Sequence, residues 1–419
     1  MRTTTAKRAS IAGGRVQSFV PALLVLVFGV LAIDALTITM VLSSLFAGEI
    51  ISDWMPFYTA GTLVNNGDAT RLYDAAFQAA SQRELFGVGV VPMGYVLPAF
   101  AAFSFAPLAR LTFVESYLVW MSINLVLLTV LLWLSWGWLR DVPPTLRAVF
   151  LGCAASITLL LTITIGQVDL LVLAGLLGGY ALLRSDRPFA AGSLLALALL
   201  KPHLLLAVVL LLVVKQQWRA LAGLAAVGAP LLIIPALLAG PELLRDQAGL
   251  LFSFANTTTE YRVNADTMIN IRGPVTAFTG SSNVWLWLPL LAVIAGVALY
   301  VALRVWRERT PLHPQSWALA FTLPLLYSPH VHFQTAVLLL AAAGLYLAAD
   351  ARSGSPRINV QHVLAGLVLV NSLWLLTIAG VPLMCFVVMG AYTLFAKRWP
   401  VAATQAINVP APPERALAA

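Results

Sequence analysis

The sequence predicts an all-α, polytopic membrane protein. Sixty per cent of its 419 residues are hydrophobic and only 10% are charged, and the mean hydropathy is +0.89. No soluble domain of this length hides that much apolar surface. The apolar residues run in continuous Leu/Ala/Val-rich stretches and not in the short alternating segments of a membrane β-barrel, so the spans are helices. The basic residues lie between these stretches, as they do in cytoplasmic loops. The net charge of +8 therefore points to membrane sidedness and not to nucleic acid. Cys153 and Cys385 both sit inside apolar runs, which excludes a disulfide or zinc framework.

Residues 1–18 read as a cytoplasmic tail carrying Arg2, Lys7, Arg8 and Arg15 without an acidic residue. The apolar run 19–46 is too long for a signal peptide and is the first span, uncleaved, with its positive flank inside. Residues 47–94 then form a first external loop with short interfacial helices: one ending near Gly61–Gly67, and an amphipathic one from Asp74, its N-cap, to Phe86. The stretch 95–111 is apolar but holds Pro98 and Pro107 and is barely long enough to cross. Further apolar runs lie at 114–139, 148–165, 170–183, 189–214, 221–238, 284–305, 317–327, 335–349, 363–376 and 381–396. The run 189–214 is interrupted by Lys201-Pro202-His203 and reads as a two-helix hairpin. A second external loop, 240–283, is long and polar, without clear structure of its own, and a loop of that length usually folds over a site. Residues 397–419 form the second cytoplasmic tail.

Placing the loops that carry Arg140–Arg147, Arg184–Arg187, Lys215–Arg219, Arg304–Arg309, Arg352–Arg357 and Lys397–Arg398 in the cytoplasm leaves no room for 95–111 to cross, so that stretch reads as re-entrant or as embedded in the membrane without crossing. About twelve spans result, with both termini inside and residues 19–396 forming a single membrane domain. This topology gathers Asp53, Gly166-Gln167, Lys201-Pro202-His203, the 240–283 loop and Ser328-Pro329-His330-Val331-His332 on the external face.

Several of these residues can carry chemistry, and each also has a plain structural reading. Asp53, just after the first span, is a candidate base at the membrane surface; taken alone, it reads more simply as a helix N-cap followed by interfacial aromatics such as Tyr58. Lys201 lies within an apolar run, where insertion costs about 2.5–3.5 kcal/mol, so it is a functional candidate, with a phosphate as the obvious partner. Its alternative is a lysine snorkelling to the headgroups. His330 and His332, two apart at a helix break, can serve as a metal pair, a proton relay or a phosphate contact, or simply bond loop carbonyls. Arg272 is a candidate phosphate or diphosphate contact, although the residue alone favours a solvated loop arginine. Asp34, inside the first span, is the reserve candidate for the carboxylate chemistry. A polytopic lipid or sugar transporter or flippase would also explain an intramembrane lysine and broken helices, but the two halves show no internal repeat and the reactive residues sit at one face, not the midplane.

Asp53-Trp54-Met55-Pro56-Phe57-Tyr58-Thr59-Ala60-Gly61, with Gly67 and Leu72-Tyr73-Asp74, resembles the first external loop of glycosyltransferase family 87. Further matches follow in order: Tyr95-Val96-Leu97-Pro98 with Pro107-Leu108, Gly166-Gln167-Val168-Asp169-Leu170, Ala191-Gly192 with Lys201-Pro202, Trp218-Arg219, and Ser328-Pro329-His330-Val331-His332. The resemblance spans roughly residues 20–395. It implies a GT-C membrane enzyme that inverts configuration and uses a polyprenyl-phosphate hexose, such as mannose, as donor. The acceptor would be a glycolipid or glycan at the external face of the cell membrane. By residue match Asp53 is the base that deprotonates the acceptor. Lys201, Arg272, His330 or His332 would stabilise the leaving phosphate, and Gln167 and Tyr58 would contact substrate. With cationic side chains in that role no metal or other cofactor is expected. Two departures from the family pattern, Val96-Leu97-Pro98 in place of paired prolines and Val168-Asp169 in place of Val-Asn, read as lying outside the chemistry.

Overall fold

A computed structural model describes Thr39, Ser43 and residues 52–158, 162–254, 265, 268–281, 283–352 and 384–397. Asp34, the predicted span at 363–376 and the tails 1–18 and 398–419 lie outside the described residues. Every named element among those residues is helical. In chain order they are α1 (Trp54–Asn65), α2 (Ala75–Phe86), α3 (Ala99–Phe105), α4 (Phe113–Trp138), α5 (Pro144–Thr158), α6 (Asp169–Arg184), α7 (Pro188–Leu195) and α8 (Pro202–Val214). There follow α9 (Trp218–Ala239), α10 (Glu242–Phe254), α11 (Arg272–Thr279), α12 (Val284–Glu308), α13 (Pro314–Tyr327), α14 (Val337–Ala351) and α15 (Met384–Ala396).

Among the described residues, α4, α9, α12 and a continuous helical stretch from Phe333 through α14 are long and apolar enough to cross a membrane. The first three present exposed apolar faces: Val126, Val130 and Trp133 on α4, Leu237 and Leu238 on α9, and Val293 and Val297 on α12. Such faces suit hydrocarbon and not water. By contrast α13 is buried at every residue from Gln315 to Leu326. It is the central post of the bundle, packed by α8, α12, α14 and α15. A helix apolar all round must be covered all round, and its neighbours do so.

Helices α7 and α9 approach closely because each puts a glycine at the crossing. A Cβ on Gly192 would collide with the Ala220 carbonyl, and one on Gly223 with that of Phe189. Small residues of this kind let membrane helices pack backbone to backbone. Between α7 and α8 the chain tightens into a 3₁₀ turn, Ala196–Leu200, and Pro202 restarts the helix at its first position. The predicted interruption at Lys201-Pro202-His203 is therefore a true helix break. The stretch 95–111 contains only the seven-residue α3 and a 3₁₀ turn at Leu108–Arg110. Seven residues rise about 10 Å, against about 30 Å of hydrocarbon, so no helix crosses here.

Asp74 caps α2 as expected, accepting from Phe77 N at 3.0 Å. The amphipathic reading of that helix needs correction, because the residues it buries are glutamines. Gln78 accepts from Tyr95 N at 2.7 Å, and Gln82 exchanges bonds with Met93 through N at 2.8 Å and O at 2.7 Å. The two side chains satisfy an extended backbone that has no strand beside it. They thereby hold residues 93–98 against the rest of the loop. The 240–283 loop also differs from expectation, since it contains the two helices α10 and α11.

Basic residues and loops meet at one end of the bundle. Arg352 pairs with Asp141 at 2.7 Å, Lys215 donates to the carbonyls of Trp306 and Arg309, and Gln315 donates to Phe395 and Lys397 carbonyls at 2.6 and 2.9 Å. The N-termini of α6 and α8, the C-terminus of α13 and the approach to α14 lie at the other end, where the remaining polar residues converge.

Candidate active site

Asp53 immediately precedes α1, in the position of an N-cap, yet its side chain makes no capping bond. Ser52 caps instead, its Oγ accepting from Trp54 N at 3.1 Å and donating to Ile165 O at 3.1 Å. The Asp53 carboxylate turns the other way and accepts from Gln167 Nε2 at 2.6 Å. The simple capping reading of Asp53 is thus set aside.

The turn that presents Gln167 is built around Gly166. Its φ of +79° lies in the left-handed region, and a Cβ there would stand 2.9 Å from the Cβ of Trp54. Trp54 is fully buried, stacks on Trp120 with centroids 4.8 Å apart, and donates through its indole to Ser116 at 3.1 Å. Trp120 donates to Gly166 O at 2.9 Å, and Tyr117 OH to Thr164 O. Two rigid aromatics therefore clamp the Gly166 turn against the start of α1, and this clamp sets the Asp53–Gln167 geometry.

Lys201, in the break before α8, points inward and not to a headgroup, which removes the snorkelling reading. Its Nζ lies 2.6 Å from Asp169 Oδ2 and 3.4 Å from Gln167 Oε1. The Asp169 side chain is wholly inaccessible, and that of Lys201 is 12% exposed. Asp169 Oδ1 in turn accepts from Thr335 Oγ1 at 2.9 Å. An unbroken series of contacts, Thr335–Asp169–Lys201–Gln167–Asp53, thus joins residues distant in sequence. The reading of Val168-Asp169 as remote from the chemistry is corrected here: Asp169 is the counter-ion of Lys201. One signal in the sequence identifies it, since a lysine in an apolar run needs an opposite charge and Asp169 is a carboxylate next to the already suspect Gln167.

Arg272 corrects a second expectation. It is not solvated but 1% exposed, at the first position of α11. Its Nη1 donates to Pro329 O at 3.2 Å, and its guanidinium lies over the Trp287 ring, 4.7 Å from the centroid. Its Nε and Nη2 are buried and have no hydrogen-bond partner among the described residues. Buried guanidinium donors left unmatched suit a planar or tetrahedral oxyanion. Arg272 is placed by the 268–272 segment, which clips onto the histidine segment: Ile269 N donates to Val331 O at 2.9 Å, and Asn270 Nδ2 to Ser328 O at 2.5 Å.

His330 and His332 stand edge to face, ring centroids 4.6 Å apart. Burial, with His332, His203, Lys201 and Arg272 as neighbours, pushes the His330 pKa well below the ordinary histidine value. His330 is therefore a neutral imidazole at neutral pH and not a cation. Asp53 moves oppositely. Burial raises its pKa above the ordinary aspartate value; the Gln167 hydrogen bond and the Lys201 charge pull it down, and Asp169 pushes it up. Tyr58 is not brought to this cluster: its hydroxyl donates to Leu111 O at 2.8 Å, and its ring packs on Phe86 and Phe113.

At this one end the bundle holds a carboxylate of raised basicity, a buried ion pair beside it, and a buried arginine with a neutral imidazole farther round. Such a site can take a proton at one place and hold an anion at another. The model of glycosyltransferase family 87 matches residues 95–329, more than half of the chain. The chain belongs to glycosyltransferase family 87. It is thereby a glycosyltransferase, and the transporter reading is set aside. The matched stretch contains Gln167, Asp169, Lys201 and Arg272, whereas Asp53 precedes it and His330 and His332 follow it. Comparison with curated proteins and with solved structures finds no match.

Proposed function

We propose that this protein is an inverting GT-C-type hexosyltransferase, with Asp53 as its base and a polyprenyl-phosphate hexose, mannose by the family resemblance, as its donor. The observation that carries this reading is the Asp53 carboxylate. It is released from capping, held by Gln167, and made more basic by burial. In the proposed reaction Asp53 takes the acceptor hydroxyl proton as the acceptor oxygen attacks the anomeric carbon. The bond from that carbon to the phosphate oxygen breaks, and its electron pair leaves with the polyprenyl phosphate. Inversion requires base and leaving group on opposite faces of the sugar.

Arg272 supports the leaving-group side of this reading, because its Nε and Nη2 are buried donors without a hydrogen-bond partner among the described residues. His330, a neutral imidazole, and His332 lie beside it. With these side chains stabilising the phosphate, the reaction proposed needs no metal. The acceptor is a lipid-linked or free glycan reaching the site from the external face of the cell membrane. About twelve spans with both termini in the cytoplasm place the basic end of the bundle inside, as the distribution of Lys and Arg requires.

The test uses detergent-purified full-length protein, a radiolabelled polyprenyl-phosphate hexose and a panel of glycolipid acceptors. Movement of label to the acceptor, or release of free sugar, is the expected result. Tight binding of the donor without bond cleavage under all conditions would overturn it.

A further inference from the structure

We propose that Asp169 is a positioning residue for the base: through Lys201 and Gln167 it fixes which way the Gln167 amide faces and so holds the Asp53 carboxylate in register. This rests on the reading of Asp53 as the base, and goes beyond it by assigning the ion pair to the base and not to the phosphate.

The geometry leaves the amide little choice. Gln167 lies between a group that can only donate, the Lys201 ammonium at 3.4 Å from Oε1, and one that, when ionised, can only accept, the Asp53 carboxylate at 2.6 Å from Nε2. An amide flip would set NH₂ against ammonium and oxygen against carboxylate. The amide therefore holds one orientation for as long as Lys201 stays where it is. Lys201 is not in a place that retains an ammonium by itself. It is the residue before Pro202 at the N-terminus of α8, where the helix dipole disfavours positive charge. Asp169 sits in the first turn of α6, where the same dipole favours a carboxylate. It is fully buried, and both its oxygens are engaged, one by Lys201 at 2.6 Å and the other by Thr335 at 2.9 Å. Thr335 thus ties the pair to the segment after His332.

Charge arithmetic points the same way. Asp53, Lys201 and Asp169 together carry one net negative charge, which suits a centre that receives a proton. It does not suit a subsite for a phosphate, which is better matched by Arg272 farther round. The charged and titratable groups facing Asp53 are Lys201 from the break before α8 and Asp169 from α6. His203, Arg272, His330 and His332 lie beyond Lys201.

The experiment compares full-length, detergent-purified Asp169→Asn, Lys201→Met, the double variant and Gln167→Leu in transfer from a polyprenyl-phosphate hexose, recording kcat, donor KM and the acid limb of the kcat/KM–pH profile. Asp169→Asn is expected to move the acid limb to lower pH and Lys201→Met to higher pH, with the double variant returning toward wild type. Each is expected to lose kcat with donor KM unchanged. A single variant that leaves a buried charge unpaired risks misfolding. The double variant removes both members of the pair and Gln167→Leu leaves the Lys201–Asp169 pair in place, so these two keep the test decisive. Gln167→Leu is expected to raise the acid limb and to lower kcat about 100-fold, the usual consequence of a misplaced catalytic group. Acid limbs that stay fixed in every folded variant would overturn the proposal. So would a raised donor KM with intact kcat in Lys201→Met, which would make Lys201 a phosphate ligand, or in Gln167→Leu, which would make Gln167 a donor contact. Transfer that survives Asp53→Asn would sink the base reading itself; an inactive Asp53→Asn beside unmoved limbs would sink only the positioning role.

Discussion

Replacing Asp53 by Asn removes the proposed proton acceptor and little else. The asparagine carbonyl still accepts from Gln167 Nε2, which now lies 2.6 Å from Asp53 Oδ2. Losing the charge assistance in that bond costs about 1 kcal/mol. Against this, burial already disfavours the charged carboxylate, as its raised pKa records, and the neutral side chain escapes that penalty. The raised pKa means that this penalty outweighs the Gln167 hydrogen bond and the Lys201 charge, so the thermal midpoint of the variant should hold at or above that of wild type. Catalysis should not. A general base contributes about 10²–10⁴ in rate, or about 2.7–5.4 kcal/mol of transition-state stabilisation. The assay is transfer of label from polyprenyl-phosphate hexose by protein shown to be monodisperse and inserted. In wild type, activity should rise with pH through an acid limb above the ordinary aspartate value, because only the ionised Asp53 accepts a proton. The same raised pKa means that the folded state holds this proton more tightly than the unfolded chain, so the Asp53 contribution to stability falls as pH rises through that window. Asp53→Asn should flatten that part of the stability profile. Wild-type turnover in the Asn variant would exclude Asp53 as the base.

Two further outcomes follow from the same geometry. Arg272→Met should reduce kcat/KM by about 10²–10³, the loss typical when one donor to a developing oxyanion is removed, and a variant with unchanged kinetics would take the phosphate away from this residue. Gly166→Ala should cost about 1–3 kcal/mol, because alanine resists the left-handed backbone and its Cβ would press on Trp54; thermal unfolding reads this directly, and an unchanged midpoint would show that the aromatic clamp yields.

Much of the architecture was legible in the residues. The helix break at Lys201-Pro202-His203, the cap at Asp74 and the short, proline-bounded stretch 95–111 all follow from local rules, since proline geometry, capping and apolar run length act over a few residues. The site was legible only in outline. Asp53, Gln167, Lys201 and Arg272 stood out by type and position, but their relations did not. Gln167 meets Asp53 across 114 residues and Lys201 meets Asp169 across 32, and no local pattern encodes such meetings. The glutamine face of α2 was illegible for the same reason, because Gln78 and Gln82 look solvent-facing until the extended segment that needs their hydrogen bonds is laid beside them.

By itself the sequence determined that this is a helical membrane protein, because hydropathy and run length act through the solvent and need no partner. Tertiary structure alone decided that Asp53 is not a cap, that Lys201 belongs to Asp169, and that Arg272 is buried with donors to spare. Each of those outcomes depends on which charge is desolvated beside which neighbour, and that is settled only when distant segments pack.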